Sequence, residues 1–128
     1  MMVAACSPAQ VNGQTTRPTG DFTNALWAEV RDASGQIVLR GQFVLVEEDD
    51  DDVERKAVLE PAGVDADARG EAEVEFDPVA PAVQEIEFEA TSLEPLAAYT
   101  VVIDGIDIGT AAANARGTLD VEVDVRLQ

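Results

Sequence analysis

The sequence contains no histidine and a single cysteine, Cys6, among its 128 residues. A Ser-His-Asp or Cys-His nucleophile system and an imidazole general base are therefore excluded, as is a zinc site of the usual Cys/His type. One cysteine also excludes an intramolecular disulfide, and no stretch reaches the roughly 18 apolar residues of a membrane-spanning helix. Two carboxylates could be spaced as in a glycosidase, but among 26 acidic residues such a pair has no diagnostic value. We expect no enzymatic activity.

Basic residues are also scarce. Eight lysines and arginines, with Lys56 the only lysine, stand against 26 aspartates and glutamates, and the net charge is −18. Nucleic acids and anionic membranes attract basic surfaces, so this charge argues against both as direct electrostatic partners. It fits bound cations, a basic protein partner or a salty environment, and a generally solvated acidic surface is the plainest interpretation of most of the acid.

Short apolar stretches with a period of two residues begin at Asp21 and continue to the C-terminus, whereas no segment shows a convincing helical period. Turn-forming residues separate them, as between the strands of an antiparallel sheet. The eight predicted strands are residues 24–31, 36–46, 54–60, 70–76, 84–90, 98–104, 106–110 and 117–127. They predict an all-β fold, a single antiparallel β-sandwich of about seven to eight strands over residues 21–128.

Three details of the strand pattern are specific. Trp27 is expected on the outer face of the first strand, because Leu26 and every second residue after it form the apolar side. The second strand is apolar on both faces around Gly41, which predicts a central strand with a bulge at that glycine. The dipeptide Asp104-Gly105 predicts a tight hairpin turn.

Acidic residues occupy the polar positions of three predicted strands. They are Glu71, Glu73 and Glu75; Glu85, Glu87 and Glu89; and Asp120, Glu122 and Asp124. Residues 77–83 join the first two of these strands, and a hairpin there would project both rows of carboxylates from the same face. Like charges opposed across strands destabilise a sheet by roughly 0.2–1 kcal/mol per pair, so salt, bound cations or a basic partner must offset the repulsion.

The run EEDDDD must form an exposed loop, because adjacent carboxylates cannot be buried together. Its residues are Glu47, Glu48, Asp49, Asp50, Asp51 and Asp52. Calcium takes roughly six to eight oxygen ligands, so this run, with Asp65 and Asp67 as nearby acids, is a candidate for weak calcium binding. It lacks the alternating acids, central glycine and distal glutamate of an EF-hand loop, which favours nonspecific cation condensation over a defined site.

The residues VAAC at 3–6 resemble the lipobox of bacterial lipoproteins, in which a short aliphatic and small run precedes a cysteine that becomes the lipidated N-terminus. Residues 7–20 are polar and rich in Pro and Gly, which is typical of a flexible tether. Five residues before Cys6 are too few for a complete export signal, so residues 1–20 are interpreted as a truncated signal with a lipobox and a tether. The resemblance implies that acyl chains on Cys6 anchor the protein in the bacterial cell envelope or outside the cell.

The stretch LEPLAAYTV places Leu93, Pro95 and Tyr99 in the spacing L-x-P-x-x-x-Y-x-V. This resembles the tyrosine corner of fibronectin type III and related immunoglobulin-like sandwiches. The resemblance covers residues 93–103. It implies that the Tyr99 hydroxyl bonds to upstream backbone and holds the crossover between sheets, which is a structural role.

Together these features predict a non-enzymatic module for binding or adhesion, tethered to the envelope and accessory to an unidentified protein or envelope component. We expect a monomer that contacts membrane only through its lipid anchor, binds no nucleic acid and needs no cofactor beyond weakly bound calcium. The alternative is an acidic calcium-binding protein that uses the 47–52 loop.

Overall fold

The computed structural model describes residues 20–63, 66–80 and 83–126, and within these ranges the regular structure is all β. The strands are β1 (Trp27–Asp32), β2 (Ile37–Glu48), β3 (Val53–Pro61), β4 (Arg69–Phe76), β5 (Val83–Thr91), β6 (Ala98–Ile103), β7 (Ile106–Ala112) and β8 (Leu119–Arg126). All their pairings are antiparallel. The predicted all-β fold with about eight antiparallel strands is confirmed. In the described part of the chain, no helix has the length and apolar character to cross a bilayer.

The strands form one continuous sheet in the order β7-β6-β1-β2-β3-β4-β5-β8. Strands β1 to β5 are a meander, β6 crosses back to pair with β1, and β8 pairs with β5. The twisted sheet rolls up until its two edge strands pack on one another. A Cβ on Gly109 of β7 would lie 3.5 Å from Val121 Cγ1 and 3.6 Å from Val123 Cγ2 of β8. The sheet is therefore nearly closed around its core.

The core lies inside the rolled sheet and follows the alternation of the sequence. Ala72 and Val74 of β4 and Ile86 and Phe88 of β5 are buried. So is every second residue of β8, from Leu119 to Val125. Full burial of a large apolar side chain stabilises the fold by roughly 1.5–3 kcal/mol, and these residues fix which face of each strand points outward.

The outward placement of Trp27 is also confirmed. Trp27 is 37% exposed, and the neighbouring Ala28 and Val30 are fully buried. The same alternation predicts a buried Leu26, and this is wrong, because Leu26 is 56% exposed. The strand begins only at Trp27, and the residues before it run across one end of the sheet instead of extending β1.

The second strand is a central strand, as predicted, because β2 lies between β1 and β3 in the middle of the sheet. Its outer residues Val44 and Val46 are nevertheless exposed. The predicted bulge at Gly41 is wrong, because the register of β2 shifts between Ile37 and Leu39 opposite β1 and between Leu45 and Glu47 opposite β3. Gly41 serves a different purpose, because a Cβ there would lie 2.1 Å from the carbonyl oxygen of Val58 in β3.

The predicted hairpin turn at Asp104-Gly105 connects β6 and β7, which pair antiparallel. Both residues have positive φ, 51° and 82°. These are the angles that the tightest hairpin turns require, and they suit Asp-Gly.

Residues 20–26, which we call the strap, precede β1 and cross one end of the rolled sheet. Phe22 and Ala25 of the strap are each only 1% exposed and belong to the core. The strap replaces part of the predicted first strand, and its aromatic side chain closes the core at that end.

Candidate functional site

Nine carboxylates stand on one continuous outer surface, which we call the acidic face. It consists of Glu71, Glu73 and Glu75 on β4, Glu85, Glu87 and Glu89 on β5, and Asp120, Glu122 and Asp124 on β8. The predicted hairpin is present, and its two glutamate rows are in direct register. Strand β8 adds the third row on the far side of β5.

The register places acid opposite acid along three cross-strand rows. In the middle row, Glu73 is paired with Glu87, and Glu87 with Glu122. The rows above and below repeat the arrangement with the remaining six acids. Directly opposed residues on one face have Cβ atoms about 4.5–5.5 Å apart, so every acid of β5 has carboxylates on both sides.

In the described part of the chain, basic side chains border this surface without forming ion pairs with it. Lys56 of β3 stands directly opposite Glu73 on the sheet. The ion pairs of the described residues are Arg31–Glu29, Arg40–Glu29 and Lys56–Glu54, all on β1 to β3. None of the nine acidic-face carboxylates takes part in these pairs. Two arginines, Arg69 and Arg126, stand at the strand ends that border the face.

Glu87 lies at the centre of the acidic face and is half-buried. Burial, followed by the charges of Glu89, Glu122 and Asp120, raises the pKa of Glu87 from its ordinary 4.5 to about 7. A hydrogen bond with Glu122 acts in the same direction. The central carboxylate therefore takes up a proton near neutral pH, where an isolated glutamate is fully ionised.

Three carboxylates of the acidic face converge. Oxygen atoms of Glu87, Asp120 and Glu122 all lie within 4.8 Å of one another. Next to them is a groove of about 290 Å³, lined by acids of all three strands together with Ile86 and Val123. Carboxylate oxygens are the ligands of hard cations and the hydrogen-bond acceptors for ammonium and guanidinium groups.

The acidic loop predicted as a metal site lies at the β2–β3 hairpin. Glu47 and Glu48 end β2, and the turn follows at Asp49, whose carboxylate accepts hydrogen bonds from the N–H groups of Asp51 and Asp52, both at 2.9 Å. The carboxylate of Asp49 thus stabilises the turn. The convergent group of the described residues contains no member of the 47–52 run.

One residue of this loop reaches the acidic face. A hydrogen bond with Asp52 is the main cause that raises the pKa of Glu75 to about 7, followed by burial and by the charge of Asp52. The charge of Asp52 also raises the pKa of Glu47. The loop is therefore an extension of the acidic face at its Glu75 edge. Of the two nearby acids, Asp67 is exposed, and Asp65 lies outside the described residues.

The three corner residues lie at the crossover from β5 to β6, at the end of the sheet opposite the strap. Leu93 and Tyr99 are buried, whereas Pro95 is exposed. The Tyr99 hydroxyl oxygen accepts a hydrogen bond from the backbone N–H of Glu94 at 3.0 Å. This bond is internal to the fold, and none of the three residues belongs to the acidic face.

The proposed lipid attachment residue, Cys6, lies outside the described residues, as do the rest of the lipobox and nearly all of the tether. The described chain begins at Gly20. Its N–H donates to the carbonyl oxygen of Arg126 at 3.1 Å, so the chain enters the domain beside the end of β8.

Protein-family models, curated proteins and solved structures gave no match to this chain. Among the described residues, the acidic face is the feature whose chemistry is furthest from that of an ordinary sheet surface.

Two further arrangements were not predicted from the sequence. Arg40 places its guanidinium 4.2 Å from the centre of the Trp27 ring, which depends on the β1–β2 register. Gln84 is fully buried. A signal for Gln84 did exist, because it stands in phase with the inward-facing Ile86 and Phe88 of the same strand.

Proposed function

We propose that this protein is a non-enzymatic binding domain whose acidic face engages a basic protein partner. The observation that supports the proposal is the three-strand register, which puts nine carboxylates on one surface without an ion-paired base among the described residues. A basic partner would convert repulsion between opposed acids into charge-assisted hydrogen bonds.

The spacing of the acidic face favours an extended basic segment. Carboxylates two residues apart on one strand repeat about every 6.6–6.8 Å, and neighbouring strands lie about 4.7–4.9 Å apart. An extended peptide repeats its side chains on one side at the same interval of about 6.6–6.8 Å. Lysine or arginine at every second position of such a segment would therefore match the acids along one strand, such as Glu85, Glu87 and Glu89, one for one.

The test is the binding of a fluorescent peptide with lysine at every second position, measured by anisotropy near pH 8. Replacing the central acid of each of the three strands (Glu73→Gln, Glu87→Gln, Glu122→Gln) should weaken binding by about tenfold or more and reduce its salt dependence. A matched variant removes three exposed acids elsewhere, by Glu60→Gln, Glu94→Gln and Asp107→Asn. It has the same net charge and should bind like the wild type.

If both triple variants lose affinity equally, the peptide responds only to the net charge of −18, and the acidic face is not the binding surface. A peptide of equal composition with its lysines in one block tests the spacing. Equal affinity for the two peptides would contradict the proposed match between strand and peptide.

We infer, as a separate part of the proposal, that the domain is held at the bacterial envelope by acyl chains on Cys6. The support is the VAAC motif followed by a polar segment. Expression of the gene with its upstream sequence, in the presence of a labelled fatty acid, should label the protein. Cys6→Ser should remove the label and release the domain from the membrane fraction, whereas an unlabelled wild type would contradict lipid attachment.

A second candidate function is binding of a divalent cation. It is favoured by the convergence of Glu87, Asp120 and Glu122, not by the 47–52 loop. Calcium should then raise the melting temperature more than sodium chloride of equal ionic strength. Glu122→Gln should abolish the difference, and Asp50→Asn, in the loop, should leave it unchanged. Equal effects of the two salts would reduce the cluster to general charge screening.

The relation to fibronectin type III and immunoglobulin-like domains also stands as a proposal. It is supported by the bond between the Tyr99 hydroxyl and the upstream backbone N–H of Glu94.

A further inference from the structure

The two edge strands meet along a seam that is closed differently at its two ends. Strands β7 and β8 are consecutive in the chain, so residues 113–118 join them covalently at one end. Along the seam itself, Gly109 packs against Val121 and Val123, and within the described ranges no backbone ladder joins β7 to β8. At the other end there is no such covalent link between the two strands.

The strap spans this second end. At its beginning, the N–H of Gly20 donates to the carbonyl oxygen of Arg126, at the end of β8. At its end, the N–H groups of Leu26 and Trp27 donate to the Asp104 carboxylate at 3.2 and 2.8 Å, and the N–H of Asp104 donates to the Trp27 carbonyl oxygen at 3.0 Å. Asp104 lies in the turn that starts β7. The strap thus ties the start of β7 to the end of β8.

Gln84 fastens the β8 end of the strap. Its side-chain amide is fully buried, accepts a hydrogen bond from the N–H of Phe22, and donates to the carbonyl oxygens of Gly20 at 3.0 Å and Val125 at 3.5 Å. One amide therefore bonds both the strap and β8. A buried amide without these partners is costly, so Gln84 favours the position in which the strap is bound.

A middle contact supports the strap between these two ends. Arg55 of β3 donates from Nε to the carbonyl oxygen of Thr23 at 2.9 Å. The strap residues Phe22 and Ala25 are buried in the core. The Leu26 carbonyl oxygen also accepts from the Phe43 N–H of β2 at 2.8 Å. The strap is thus held at four points, and two of them flank the seam.

We propose that the strap is a latch that holds the seam between β7 and β8 closed, with Gln84 as the residue that fastens it. When the latch is released, the seam opens from the strap end about the 113–118 loop. Opening exposes the inward side chains of β7 and β8, among them Ile108 and Val123. A pull on the chain ahead of Gly20 acts on these latch bonds before it acts on any strand.

Hydrogen exchange followed by mass spectrometry, under native conditions, tests the latch. Gln84→Met keeps a side chain of similar length and removes all three hydrogen bonds. Amides of the strap, β7 and β8 should exchange about tenfold faster or more, while those of β2 to β4 keep their wild-type rates, because local opening leaves the rest of the sheet paired. Tyr99→Phe, which removes one hydrogen bond at the opposite end, should not accelerate β8.

A second variant tests the latch even if Gln84→Met does not fold. Asp104→Gly removes the carboxylate that holds the other end of the strap, and glycine suits the positive φ of that position. It should accelerate the same three segments. Uniform acceleration of every strand, or acceleration of the strap without β7 and β8, would overturn the latch, because either result would separate the strap from the seam.

Discussion

On the outer face of β1, β2 and β3, Glu29 and Glu60 both stand opposite Arg40, whereas on β4, β5 and β8 acids stand opposite acids. We call the first surface the mixed face; its residues are Trp27, Glu29, Arg31, Arg40, Gln42, Val44, Glu54, Lys56, Val58 and Glu60. In it, Glu29 is paired with Arg40 across the strands and contacts both Arg40 and Arg31. In the acidic face, the corresponding central residue, Glu87, has Glu73 on one side and Glu122 on the other.

The two surfaces belong to one sheet and cover equally buried inner residues, such as Val30 under the mixed face and Ile86 under the acidic face. Folding therefore does not require the acid. Opposite charges across strands stabilise a sheet by roughly 0.2–1 kcal/mol per pair, and like charges destabilise it by a similar amount. The acidic face thus lowers the stability that the fold could have, as expected if the proposed basic partner binds there.

The largest effect is expected at the glycine beneath the mixed face. Gly41→Ala places a methyl group 2.1 Å from the Val58 carbonyl oxygen, and backbone cannot rotate away as a side chain can. We expect a loss of about 3 kcal/mol in the free energy of unfolding, measured with urea, because β2 must move away from β3. Gly109→Ala adds a methyl group at ordinary contact distances of 3.5 and 3.6 Å, at a position without positive φ, and should cost less; equal losses would show that the contact does not set the register.

The pH dependence of stability should come from the acidic face. Glu75 and Glu87 have pKa values of about 7 in the folded protein, against an ordinary 4.5. Between these two values the folded protein holds protons that the unfolded chain has released, so stability should fall as pH rises from about 4.5 to about 7. We expect a total fall of roughly 1–2 kcal/mol, because partial solvent exposure screens the charges.

Urea unfolding between pH 4.5 and 8 measures this slope. Glu87→Gln should flatten it, since the central carboxylate no longer titrates. A slope in the variant equal to that of the wild type would assign the pH dependence elsewhere. At lower pH the sign reverses, because hydrogen bonds lower the pKa values of Asp21 and Asp32 below 3.8, and stability is lost as these groups become protonated.

A pair of equivalent substitutions should have opposite effects on the two faces. Near pH 8, Glu87→Gln removes a repelling charge and should stabilise the protein by about 0.5–1 kcal/mol. Glu29→Gln removes the partner of two arginines and should destabilise it by about 0.5–1 kcal/mol. Thermal and urea unfolding measure both changes, and a shift of the same sign in both variants would contradict the distinction between the faces.

The sequence was sufficient to predict which residues of each strand point outward, but not which strands lie side by side. The period of two residues identifies the inward side of β4, β5 and β8, and the short 77–83 connection predicts that the first two pair. The position of β8 next to β5 is a contact between residues about 30 to 40 positions apart in the chain, and no local pattern specifies it. The third row of the acidic face, and with it the convergence on Glu87, therefore needed the structure.

The strap shows a different limit of the sequence. Its residues 24–26 extend the apolar alternation of β1, so the pattern predicts strand where the chain turns across the end of the sheet. The decisive interactions are long-range ones, from Gln84 and Asp104 to backbone groups about 60 to 80 residues away. Local periodicity carries no information about such contacts, although an inward-facing glutamine in β5 marks one of them.

The smallest predicted effect concerns the one cation of the mixed face that stacks on an aromatic ring. Arg40→Met removes the guanidinium that lies 4.2 Å from the Trp27 ring centre and keeps most of the aliphatic side chain. An exposed interaction of this kind contributes about 0.5 kcal/mol, so unfolding should shift only slightly, while the fluorescence of Trp27, the single tryptophan, should change clearly. Lys56→Met removes a cation from the same face without touching the ring and should leave the fluorescence unchanged. If the two variants give the same spectrum, Arg40 does not stack on Trp27 in solution, and the mixed face is ordered by its ion pairs alone.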